Sequence, residues 1–138
     1  MPTVVYDPAS DNHGYGYGFS VETRLGTKVR FAPTLNPGIP AADIGYYDNE
    51  WAALKLCTGL TAKPPPFVVM VQFGQIEELA PPLIRRGKFF AEPPLIVIDD
   101  TASWYAHEAL HYLLYKALGD LDSAHTSPLW LRCAGHPT

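Results

Sequence analysis

The chain has 138 residues, of which 47% are hydrophobic and 17% charged, and a formal net charge of -4. That length suits one domain around one core, taken here as residues 1–138, and that composition excludes a disordered chain. The acidic balance argues against an electrostatic hold on nucleic acid, and no apolar run approaches the roughly 20 residues that span a bilayer.

The opening MPTVVYDPAS has neither the basic nor the apolar region of a secretory signal. The expectation is therefore a cytoplasmic or phage-associated protein with no membrane partner and no nucleic-acid partner. Oligomeric state is not legible.

In chain order, residues 11–18, DNHGYGYG, read as a glycine-rich loop, and 19–32 alternate loosely around LGTK as a hairpin. PTLNPGIP is loop again. DNEWAALKLCTGL follows as a helix, with Asp48 or Asn49 as N-cap, Trp51, Leu54 and Cys57 at helical spacing, and Gly59 as the stop. After a triple proline, FVVMVQF has the β-branched and aromatic content of a strand. Residues 75–91 are ambiguous, with Arg85-Arg86-Gly87 reading as a turn. LIVID is a second short strand. Asp99, Asp100 and Thr101 offer N-cap oxygens to a helix that runs to Leu118 and stops at Gly119. The tail from Asp120 is loop, with one helical turn at 128–133. The class is α+β.

Cys57 and Cys133 admit two readings. They could close a long loop as a disulfide, or sit as two small buried hydrophobes in a reducing compartment. The second is preferred, because nothing else marks the chain as secreted.

The helix ending at Leu118 carries the chemistry. His107 and His111 lie four residues apart, one above the other on one face, so both imidazoles can reach one ion. Glu108 lies about 100° round the helix, beside such an ion, where a carboxylate can take a proton from water. HEALH is thus an HExxH pattern, which chance would supply roughly once in a hundred chains of this composition. Ala106, Leu110, Leu113 and Ala117 form a second stripe suited to packing on a sheet. A helix this apolar is buried, and a buried unpaired carboxylate costs several kcal/mol, which a metal, or basic partners elsewhere in the chain, would offset.

Catalytic zinc needs a third protein ligand and one open position. His125 is the choice, with Asp120 and Asp122 as rivals that could ligate or hold a ligand histidine from behind. His13 and His136, near the termini, are expected in solvent.

From His107 to Trp130 the chain resembles the zincin metallopeptidases, in which the HExxH helix follows the edge strand of a small sheet. The spacing to His125, and the segment Thr126-Ser127-Pro128-Leu129-Trp130 after it, are most similar to SprT-like families and to small zincin-like proteins of bacteria and phages. It departs from metzincins, whose third histidine would fall at Ala117, and from zincins with a glutamate ligand, since no glutamate follows Glu108. With no basic tail and no zinc ribbon, DNA binding does not carry over.

The resemblance implies LIVID as the edge strand and an extended peptide bound along Leu95, Ile96, Val97 and Ile98. It also implies Zn2+ on His107, His111 and His125, and Glu108 as general base on zinc-bound water in a zinc-dependent peptidase acting on peptide or protein. Tyr105, Tyr112 and Tyr115 are oxyanion candidates by position only. The alternative is a non-catalytic zincin-like scaffold used for binding or in a phage particle. A third reading is a deformylase-like metal amidohydrolase with Cys57 as a ligand.

Overall fold

The computed structural model describes residues 4–6, 18–32, 44–71, 76, 87–99 and 105–134. The strands are β1 (Val4–Tyr6), β2 (Phe19–Glu22), β3 (Lys28–Phe31), β4 (Phe67–Val71), β5 (Gly87–Phe90) and β6 (Leu95–Asp99). The helices are α1 (Gly45–Thr58) and α2 (Tyr105–Leu118), followed by a short π-helical segment, Trp130–Ala134. The sheet runs β1-β2-β3-β4-β6-β5. It is antiparallel from β1 to β3, parallel from β3 through β4 to β6, and antiparallel again at β5. This is the expected α+β class.

Alternation along each strand sorts side chains onto two faces. Val21, Val29, Phe31, Val68, Ile96 and Ile98 meet Trp51 and Leu54 of α1 and Leu110 and Leu113 of α2 in the larger core. Val69, Val71, Leu95 and Val97 point the other way, with Ile76 among them. Of the stripe expected on α2, Leu110 and Leu113 are fully buried, but Ala117 is exposed and Ala106 only half-buried. Tyr105, Ala109, Tyr112 and Leu114 complete the packed face instead.

The hairpin forms as expected, turning at Thr23–Thr27 with Gly26 at φ 99°. Helix α1 starts earlier than its sequence signal. Ile44 holds the N-cap position without a side-chain bond, and Tyr46 and Tyr47 pack edge-on against each other and against Tyr105. Asp48, expected as the cap, instead accepts a hydrogen bond from Leu25 N at 3.0 Å, tying the hairpin turn to the helix. Gly59 (φ 73°) and Gly119 (φ 79°) stop the two helices in the left-handed conformation that glycine adopts most cheaply. Of the cap residues expected before α2, Asp99 ends β6, while Asp100 and Thr101 lie outside the described residues.

Two expectations are corrected. LIVID is not an edge strand, because β6 pairs with β4 on one side and β5 on the other, with all five residues buried. Leu95, Ile96, Val97 and Ile98 therefore have no free edge for a peptide. A continuous apolar run is what a strand covered on both faces requires, whereas an edge strand with one wet face alternates. The cysteines are also not free: Cys57 and Cys133 form a disulfide, with Cα atoms 5.7 Å apart. It ties the end of α1 to the π-helical segment and closes a loop of 76 residues, a constraint worth roughly 4 kcal/mol in the chain-entropy account. Among the described residues, no helix is long and apolar enough to cross a membrane.

Candidate metal centre

Helix α2 presents His107 and His111 toward the chain that returns after Gly119, and that chain delivers His125 between them. His125 Nε2 stands 3.1 Å from His111 Nε2 and 3.2 Å from His107 Nε2. Two ligands of a tetrahedral zinc at about 2.0–2.1 Å lie roughly 3.3–3.4 Å from each other, so the spacing fits one shared ion. Among the described residues, this is the only group of three or more potential ligands that converges in this way.

The protonation pattern points the same way. His111 Nδ1 donates to the Leu121 carbonyl at 2.7 Å, and a carbonyl can only accept, so in the neutral ring Nε2 keeps a bare lone pair aimed at the cluster. Burial lowers the His111 pKa below its usual value, and nearby His125 adds to this, against the opposing pull of Leu121 and Asp122. Both effects favour the neutral ring, the form in which an imidazole binds metal.

The loop that places His125 is built on Asp122. Its carboxylate accepts from Thr126 N (3.0 Å), Thr126 Oγ1 (2.8 Å), Ser127 N (2.8 Å) and Trp130 Nε1 (2.8 Å). His125 N donates back to the Asp122 carbonyl at 2.9 Å. Asp122 and His125 both take left-handed backbone, at φ 57° and 56°. That conformation is strained for residues with a side chain, although Asp and His tolerate it better than most. Neither rival aspartate belongs to the ligand group. Asp122 holds the turn, and Asp120 accepts the Asp122 backbone N–H at 2.9 Å.

Burial acts to raise the Asp122 pKa, but the donors from Thr126, Trp130 and Ser127 outweigh it and hold the carboxyl far below its usual range. The folded chain thus binds fewer protons here than the unfolded one. The stability this contributes is fully present above the unfolded value of about 3.9 and is lost as pH falls below it. Asp122→Asn should accordingly flatten the acid limb of the stability curve below about pH 4. Urea melts across that range check this, and an unchanged acid limb would count against the assignment.

Trp130, 1% exposed, lies against all three imidazoles, with ring centroids 4.7 Å from His107, 4.3 Å from His111 and 4.6 Å from His125. It forms the apolar wall of the cluster, and the disulfide one turn on anchors its segment to α1. The sequence marked Trp130 only as part of a similar segment.

Glu108, 6% exposed, packs against β5. There the strand residue against it is Gly87, whose missing side chain leaves the carboxylate its space. Sequence reading missed both β5 and this contact, although the Phe-Phe pair before Pro93 was an available strand signal.

The three tyrosines are engaged elsewhere. Tyr105 is fully buried against Tyr46 and Tyr47, Tyr112 packs on Trp51 and Phe89, and Tyr115 donates to Glu92 at 2.7 Å. Cys57 is bonded to Cys133 and so does not offer the free thiolate that the deformylase-like reading requires of it. His13 and His136 lie outside the described residues. No known family profile matches the chain, and neither a curated protein nor a solved structure matches it.

Proposed function

We propose that the protein is a zinc-dependent peptidase of the HExxH type, with His107, His111 and His125 as ligands and Glu108 as general base. The observation that carries this reading is the convergence of three imidazole nitrogens from a helix and its return loop, with a buried carboxylate on the adjoining helix position. Three histidines make a ligand set known from catalytic zinc, and nitrogen donors suit zinc better than magnesium or calcium.

Zinc held there would polarise the scissile carbonyl and make water more acidic. Glu108 takes the proton of the attacking water and passes it to the leaving amine. Trp130 keeps bulk water from one side of the imidazoles and holds their planes. The sheet edge nearest Glu108 is β5, which among the described residues has a neighbour only on its β6 side. An extended peptide can add there as a further strand through main-chain hydrogen bonds. A scaffold kept only for binding has no need of a carboxylate buried beside the ligands, and Glu108 therefore favours catalysis.

Purified protein should carry close to one zinc per chain by elemental analysis, and chelation should abolish its digestion of casein or a peptide library. Hydrolysis that survives complete metal removal would end this reading.

A further inference from the structure

Gly87 is the residue of the outer strand that stands directly against Glu108. A Cβ built on it would lie 2.7 Å from Glu108 Oε2, 3.0 Å from Cγ and 3.2 Å from Cδ. Contacts this short force a shift, and the group that must give way is the side chain of Glu108, which is only 6% exposed. Nor is glycine there for its backbone. Gly26, Gly59 and Gly119 occupy the positive-φ region, whereas Gly87 does not, so its conformation is open to any residue. A glycine inside a strand weakens the strand and commonly marks a close approach by another group. Here that group is a carboxylate.

We propose that Gly87 is a positioning residue for Glu108, its bare α-carbon forming the seat that holds the carboxylate beside the histidine cluster. The inference rests on the peptidase reading for its catalytic consequence, but the seat itself can be measured without activity. A methyl group at position 87 drives the carboxylate out of the seat, while the ligands, which lie on the Trp130 side of α2, stay where they are.

The test is a cycle of four full-length, zinc-loaded chains: wild type, Gly87→Ala, Glu108→Ala and the double variant. Gly87→Ala should lower the melting temperature by roughly 5 °C, the usual scale of overpacking in a domain of this size. In the Glu108→Ala background the same change should cost nothing, because the clashing group is gone. In an active enzyme, Gly87→Ala should keep its zinc and its KM while kcat falls about a hundredfold, as a misplacement near 1 Å can do. An equal loss of melting temperature in both backgrounds, or an unchanged kcat, overturns the proposal. If Gly87→Ala does not fold, recovery of folding in the double variant supports the seat and continued misfolding refutes it. Wild-type protein that hydrolyses no peptide defeats the peptidase reading alone, and the thermal cycle still decides on Gly87.

Discussion

Glu108→Gln is expected to leave one zinc per chain in place and to lower kcat by roughly 10²–10⁴-fold, the usual contribution of a general base. Glutamine has the length and shape of glutamate, so it fits the space that Gly87 leaves and does not disturb His107 or His111 on the neighbouring face. What it loses is the ability to accept a proton. Zinc content, melting temperature and turnover are read on the same preparation. Turnover within tenfold of wild type would show that another group takes the proton.

The second large effect concerns the third ligand. His125→Ala removes the nitrogen that stands 3.1 Å from His111 Nε2 and 3.2 Å from His107 Nε2, and should lose most of the bound zinc. Asp122→Ala should act more weakly, by about 10–100-fold in affinity, as losses of groups supporting a ligand typically do. The Asp122 carboxylate accepts from Thr126, Ser127 and Trp130, so its removal loosens the turn that presents His125 and the indole that backs all three rings. Zinc titration of both variants separates the two roles. If Asp122→Ala emptied the site while His125→Ala kept its metal, the centre would be of the His-His-Asp type.

The α2 helix and its HEALH pattern were legible in the sequence because everything that specifies them is local. Imidazoles four residues apart share a face by the geometry of any α-helix, and the glycines after α1 and α2 stop them through their own backbone freedom. The hairpin and the α+β class followed from the same short-range periodicities. His125 was the ligand choice from the sequence, but its meeting with the other two depends on a turn of two left-handed residues held by Asp122. No local pattern announces that turn.

Tertiary structure alone decided the strand order, and with it the correction of LIVID from edge to interior. Which strand is outermost depends on how apolar faces distant in the chain cover one another, and β5, the shorter and less apolar strand, takes the rim beside Glu108. The same holds for the disulfide, whose halves meet only because α1 and the π-helical segment pack side by side. Gly87 is the sharpest case. In the sequence it follows two arginines and reads as a turn, while in the fold its lack of a side chain matters only because a carboxylate 21 positions further on, in another element, comes to rest against it.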